Sequence, residues 1–248
     1  MKETRILMDM PITVEIRDES ADQNLIDEIF EYFQTIDDTF SVFRETSEIS
    51  RINRGEIEKE DASPDMKNIF RLAEETKRQT DGYFDIQKPK GILDPSGIVK
   101  GWAIWQASKL LNMAGVKDSY VEAGGDIQVS RKSNSDPWVI GIRNPFNINE
   151  NVKIVSLRNE GIATSGTYIR GQHIYNPHQP KETFEEIVSL TVIGPNIYEA
   201  DRFATAAFAM GKEGIHFIEK QEGLEGYAID SKGIATMTSD FNRYVKNG

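Results

Sequence analysis

Apolar residues along this chain recur at two periods, and the irregular way those periods alternate restricts the fold more than any other feature. A spacing of about 3.6 residues marks an amphipathic helix, and strict alternation marks a half-buried strand. Helical spacing occurs over 20–36, where Ile26, Ile29, Phe30, Phe33 and Ile36 share a face and Ser20 stands at a capping position. It returns over 64–80, with Met66, Ile69, Phe70 and Ala73 in the stripe, Ser63 as cap and Pro64 in the first turn. A third helix is predicted over 97–114 from Val99, Ala103, Ala107, Leu110, Leu111 and Ala114, with Gly115 ending it. Two more are predicted over 198–210 and 212–221.

Strand patterns fall at 5–16, 39–43, 83–86, 119–129, 137–143, 152–158, 187–193, 226–230 and 233–237. The late strands come in hairpin-like pairs, not one per helix. That order favours an α+β fold of mixed sheets with packed helices over a doubly wound parallel sheet. The 248 residues carry no internal repeat or low-complexity linker, so they read as one domain over 1–248.

Charge narrows the function. Forty acidic and 29 basic residues give a formal charge of -11, which repels a nucleic-acid backbone. A polyanionic small ligand then needs a local cation, either a metal or placed Lys and Arg side chains. Cysteine is absent, which excludes disulfides, thiol catalysis, Cys-based zinc sites and a lipidated cysteine. The first residues, MKETRILMDMPITVEI, lack a long apolar core and a small-residue cleavage site, and no run suits a membrane span. A soluble, cytoplasmic protein is expected.

Five segments carry residues suited to chemistry. In EADRFATAAFAMG, Asp201 and Thr205 stand at i and i+4 and meet on one helix face. A carboxylate and a hydroxyl so placed suit Mg²⁺, which takes few protein ligands and fills its shell with phosphate oxygens. The alternative is that Thr205 packs in the core and Asp201 marks a helix start. In ILDPSGIVKGWA, Asp94, Ser96 and Gly97 open a helix whose free N–H groups suit an anion, and Lys100 can face a phosphate or a ring carbonyl. A capped helix with a solvated lysine is the plain reading.

VEAGGDIQV offers a two-glycine turn between strand flanks, without the full dinucleotide fingerprint. ATSGTYIRGQHIYNP offers Thr164, Ser165 and Gly166 as donors to phosphate, with Arg170 and His173 nearby in sequence. His173 and His178 have weak metal-ligand spacing and no evident third ligand, and His216 lies on a helix. FSVFRETSEISRIN sets Phe40 and Phe43 beside Arg44, either to pack on adenine or to fill the core.

Taken in order, MDMPITVEI, SVFRETSEISRIN, TDGYFDI, LDPSGIVKGWA, VEAGGDI, IATSGTYIRGQHIYNP and EADRFATAAFAMG resemble the FAD:protein FMN transferases, the ApbE flavin transferases. The resemblance runs along nearly the whole chain. It implies an α+β fold with the FAD site in a central cleft. It implies a Mg²⁺-dependent reaction in which FAD is split, FMN is joined through its phosphate to a threonine of an acceptor protein, and AMP leaves. It implies a metal at the Gly97 carbonyl, Asp201 and Thr205. It implies FAD contacts at Met8, Phe43, Tyr83, Phe84, Asp85, Asp94, Lys100 and Tyr175, and makes His173 a candidate proton carrier.

The chain departs from the family pattern in places. Phe43 stands where many members carry Tyr, Asn176 where an aspartate is usual, and Asp9 where Gly is frequent. Only residues 86–93 separate Asp85 from Asp94, where relatives usually have a longer segment. An FAD pyrophosphatase using water as nucleophile, and a non-catalytic flavin-binding protein, are the alternatives. A serine hydrolase built from Ser165, His173 and an aspartate is disfavoured by the lack of a G-x-S-x-G elbow.

Overall fold

The N-terminal run that reads as one strand is two. In the computed structural model, which describes residues 1–18, 22–88, 91–132, 134–167, 176–178 and 186–246, β1 (Lys2–Leu7) and β2 (Met10–Ile16) form a hairpin that pairs Leu7 with Met10. The turn is Met8 and Asp9, with φ of 53° and 57°. Such a two-residue turn with both centres left-handed matches the twist of the flanking strands. Neither residue is glycine and the alternation continues through them, so the break leaves no mark in the pattern.

Helix α1 (Gln23–Phe40) starts three residues later than expected, with the Asp22 side chain accepting from the Leu25 N–H. Ser20 lies outside the described residues. The helix also runs on past Ile36, because Asp37 and Phe40 extend the buried stripe of Phe33 and Ile36. The strand expected at 39–43 is therefore the last helical residues followed by a turn. A short α2 (Glu48–Asn53), not anticipated, is capped by Ser47, which accepts from the Ser50 N–H at 3.1 Å.

Helix α3 (Pro64–Gln79) has the predicted cap, Ser63 accepting from Met66 N–H at 3.3 Å. The strand expected at 83–86 is turn and bend instead. Asp81 is left-handed at φ 50°, and Phe84 N–H donates to the Thr80 hydroxyl at 3.1 Å, so the backbone bonds locally and not into a sheet.

Helix α4 (Ser96–Met113) does not show one stripe. Ile98, Val99, Gly101, Trp102, Ala103 and Ile104 are all buried, whereas Leu110 and Ala114, expected on the core face, are exposed. The first half of the helix is enclosed on several sides and only the last turns are at the surface.

The run at 119–129 is a hairpin, β3 (Ser119–Ala123) and β4 (Asp126–Ser130), turned by Gly124 and Gly125 at φ 59° and 98°. Then follow β5 (Trp138–Asn144), β6 (Asn147–Leu157), β7 (Gly161–Gly166), β8 (Ile187–Gly194), α5 (Ile197–Ala209), α6 (Glu213–Glu219), β9 (Glu225–Asp230) and β10 (Ala235–Met237). The main sheet is antiparallel with order β1-β2-β3-β4-β7-β8-β9-β10, and β5-β6 forms a separate ribbon.

Alternation along the central strands gives the sheet two buried faces. Val14, Val121, Ala163 and Val192 face a core shared with the helices, including Phe33, Trp102 and Phe208. Ile127, Ile162, Ile193 and Tyr227 face the β5-β6 ribbon, packing on Trp138, Ile142, Leu157 and Phe241. Each side chain the size of Phe33 or Phe208 stabilises the fold by ~1.5–3 kcal/mol through burial. The architecture is α+β, with helices on one face of the sheet and a ribbon on the other. Among the described residues, no helix is long and apolar enough to cross a membrane.

Candidate active site

Six stretches of backbone border one cavity of about 580 Å³. The β1-β2 turn brings Met8 and Asp9. The loop after α1 brings Ser41, Val42 and Phe43. The turns after α3 bring Tyr83, Phe84 and Asp85. The first turns of α4, with the loop before them, bring Asp94, Ser96, Gly97 and Lys100. The middle of α5 brings Asp201 and Thr205, and β7 adds Thr164 and Ser165.

Ten of the twelve residues that the family resemblance implies for metal, FAD or proton transfer thus line one space. The other two, His173 and Tyr175, lie outside the described residues, as does Arg170. The described residues on either side, Ser165 and Pro177, line the same cavity. Among the remaining histidines, His178 Nε2 is 2.9 Å from the Asp81 carbonyl oxygen, and its ring meets Tyr83 edge-on at 4.6 Å. His216 is exposed. Phe40 and Phe43 part company: Phe40 is buried against Trp102, whereas Phe43 is 85% exposed at the cavity rim.

The polar end of the cavity forms where α4 crosses α5. Gly101 lets the two helices approach closely: a Cβ there would lie 2.6 Å from Asp201 Cβ and 3.0 Å from the Ile197 carbonyl oxygen. At this contact Gly101 N–H donates to Asp201 Oδ2 at 2.8 Å. In a regular helix that N–H is given to the carbonyl of residue i−4, here Gly97. Asp201 therefore competes for the donor that would otherwise engage the Gly97 oxygen. Thr205, one turn on, packs its methyl 3.6 Å from where a Gly97 Cβ would be.

Sequence reasoning passed over Asp126, at the start of β4. Its Oδ1 accepts from Thr164 N–H at 3.0 Å, and its Oδ2 forms an ion pair with Lys100 that lacks aligned hydrogen-bond geometry. Lys100 Nζ is also 3.5 Å from Asp201 Oδ1. The only local signal in VEAGGDI is a carboxylate directly after two glycines, and its pairing with α4 is a long-range fact.

Burial dominates the electrostatics here. It pushes the Asp201 carboxyl up to about 7, Lys100 opposes the shift, and Asp126 adds to it through repulsion and through a hydrogen bond that only the protonated acid makes. A carboxylate so desolvated is stabilised by a further cation.

The donors fit a hard divalent ion. Asp201, Thr205 and the Gly97 carbonyl offer only oxygen, at the end of a cavity open to a ligand. Among the described residues, no group of three or more His, Cys, Asp or Glu side chains forms a closed cage. A short protein ligand set completed by phosphate oxygens is how Mg²⁺ is commonly held.

The other acids on the wall have local duties. Asp85 pairs with Lys77 at 2.7 Å and accepts from Gln87 N–H at 2.8 Å. Asp94 Oδ1 accepts from Ser96 N–H at 3.1 Å at the entry to α4. Phe84 is buried, with its ring edge 3.3 Å from a built Gly97 Cβ, so it supports the α4 N-terminus from below.

Comparison with known proteins adds the lineage. A family model described as the ApbE family matches residues 8–89 and 86–228. An FAD:protein FMN transferase of Klebsiella pneumoniae (strain 342) is 30% identical over 156 residues, 58% of this chain and 44% of that protein. One of Rhodobacter capsulatus is 36% identical over 141 residues, 53% of this chain and 27% of that protein. The matched stretch thus spans less than half of either relative.

Among solved structures, the flavin transferase ApbE from Vibrio cholerae superposes with a TM-score of 0.85 at 22% identity, covering 98% of both chains. The ApbE protein from Thermotoga maritima gives 0.86 at 19% identity, covering 100% of this chain and 99% of that one. At these identities the likeness establishes the fold.

Proposed function

This chain belongs to the ApbE family, and from that premise we propose that it moves FMN from FAD to a threonine of an acceptor protein in a Mg²⁺-dependent reaction, releasing AMP. The observation that carries the reading is the convergence of Asp201 and Thr205 with Met8, Phe43, Tyr83 and Lys100 on a single cavity. The curated relatives named FAD:protein FMN transferase support it.

The chemistry follows from charge. The phosphates of FAD are anionic and this protein carries a formal charge of -11, so unaided approach is unfavourable. Asp201, Thr205 and the Gly97 carbonyl would hold Mg²⁺, which when bound neutralises the pyrophosphate and polarises the phosphorus under attack. Gly101 N–H holds the Asp201 carboxylate in place. Phe43 presents an exposed ring face to a flat aromatic at the rim. Ser165 and Thr164 also line the cavity; the Thr164 N–H is given to Asp126 and its hydroxyl pairs with that of Thr191, so the Ser165 hydroxyl is the one of the two that suits an anionic oxygen.

In the transfer, the acceptor Thr Oγ bonds to the FMN phosphorus as the bridging P–O bond to AMP breaks. AMP departs with the bridging oxygen, and the threonine proton leaves to a base. His173 remains the candidate for that proton, on the grounds of its place in the sequence motif. Positioning of the hydroxyl in line with the breaking bond supplies much of the remaining rate.

The test is incubation of the protein with FAD, MgCl₂ and threonine-containing candidate acceptors, followed by mass spectrometry. An acceptor heavier by one FMN, with equimolar AMP, supports the proposal. AMP and free FMN without any label identify a pyrophosphatase instead. Bound yellow flavin with no AMP identifies a flavin-binding protein.

A further inference from the structure

Two carboxylates and one ammonium meet at the α4–α5 crossing, and no part of the reaction above needs the second carboxylate. Asp126 and Asp201 come from distant parts of the chain, and their side chains are 2% and 5% exposed. Between them sits Lys100 Nζ, paired with Asp126 Oδ2 and 3.5 Å from Asp201 Oδ1, its own side chain 18% exposed toward the cavity.

Two buried acids side by side repel, and burial denies them water, so they require a counter-charge. When both acids are ionised, Lys100 supplies one charge against two. The stem of a lysine is flexible, and its ammonium is a point charge that can change partners without reorienting a planar group. Asp126 is the firmer of the two anchors, because it makes the closer ion pair and is itself fixed by Thr164 N–H at 3.0 Å. Asp201 is held from its other oxygen by Gly101 N–H at 2.8 Å, which leaves Oδ1 for exchange.

We propose that Lys100 is the resident cation of the site, occupying the charge position beside Asp201 until a divalent ion enters, and that Asp126 is the positioning residue that draws the ammonium off Asp201 when it does. The proposal rests on reading Asp201 and Thr205 as the metal pair. It makes metal entry an exchange of cations, so that the buried acids are compensated throughout. It also makes Lys100 a competitor for the metal and Asp126 a moderator of that competition.

The experiment is calorimetric titration of the whole protein with MgCl₂ alone, alongside the Mg²⁺-induced rise in Tm. The variants are Lys100→Met, Asp126→Asn and the double substitution. Lys100→Met is expected to lower the Tm of the metal-free protein, to bind Mg²⁺ on the order of ten-fold more tightly, and to show a larger Mg²⁺-induced rise. Asp126→Asn is expected to weaken Mg²⁺ binding, because the ammonium then rests on Asp201.

In the Lys100→Met background, Asp126→Asn is expected to lose most of its effect on Mg²⁺ affinity, since the lysine through which it acts is gone. The double variant also removes a buried pair together, which protects the test if Lys100→Met alone folds poorly. Equal Mg²⁺ affinity in wild type and Lys100→Met overturns the proposal, as does an Asp126→Asn effect of the same size in both backgrounds. Wild-type Mg²⁺ binding that survives Asp201→Ala would instead sink the underlying metal reading, so the two failures are separable.

Discussion

Gly101→Ala places one methyl group at the tightest point of the site. The added Cβ would stand 2.6 Å from Asp201 Cβ, 2.8 Å from its Oδ2 and 3.0 Å from the Ile197 carbonyl oxygen. Carbon atoms in contact prefer about 3.5–4.0 Å. The backbone oxygen cannot rotate away, so α4 and α5 must separate or Asp201 must move. Overpacking of this kind costs ~1–3 kcal/mol. Displacing Asp201 from Gly101 N–H loses a hydrogen bond to a charged group, ~1.5–3 kcal/mol. Alanine returns ~1 kcal/mol through its helix propensity.

The net loss is about 3 kcal/mol, and at roughly 2–4 °C per kcal/mol for a chain of this size the Tm falls by roughly 6–12 °C. Urea denaturation and thermal melts followed by circular dichroism measure it. Gly97→Ala is the control: its Cβ would meet the Phe84 ring at 3.3 Å and the Thr205 methyl at 3.6 Å, side chains that can yield, so the loss should be under half as large. A Gly101→Ala protein as stable as its parent, or more so, would refute the close-approach argument.

Phe43→Ala should leave stability within about 0.5 kcal/mol, since the ring is exposed, yet weaken FAD binding about ten-fold or more through lost stacking worth ~1–3 kcal/mol; fluorescence titration with FAD checks it. The Asp201 carboxyl, raised from 3.8 to about 7 chiefly by burial, binds a proton more strongly folded than unfolded. Its contribution to metal-free stability is therefore present in acid and lost as pH rises from about 4 to 7. Mg²⁺ must displace that proton, so the Mg²⁺-induced rise in Tm should be larger at pH 8 than at pH 6. Asp201→Asn should remove both the Mg²⁺ rise and its pH dependence.

Long stripes were legible from the chain. The capped helices α1 and α3 follow from apolar spacing, and the i, i+4 relation of Asp201 and Thr205 on α5 brings both to one cavity. Short β-like runs were not legible. TFSVF and YFDI contain residues that favour strands, but Phe40 is captured by the stripe of α1, and the backbone near Phe84 is bonded to Thr80.

The turn at Met8 and Asp9 is only faintly signalled: Asp tolerates a left-handed backbone, but Met8 beside it does not suggest one. Leu110 and Ala114 were expected on the core face, but the buried side of the last turns is narrow and is carried by Ala107, Ser108 and Leu111. Nothing in its own segment gives Asp126 a role, since only the packing of β4 against α4 sets it beside Lys100. Local periodicity carries no record of such a contact.

AMP release from FAD tests the central assignment most directly. With MgCl₂ present, the wild-type protein should liberate AMP, and Asp201→Asn, with its fold verified by circular dichroism, should liberate none above the chelator-treated control. Equal AMP from that folded variant would show that pyrophosphate cleavage proceeds without the α5 carboxylate, and the metal-centred account of this cavity would be wrong.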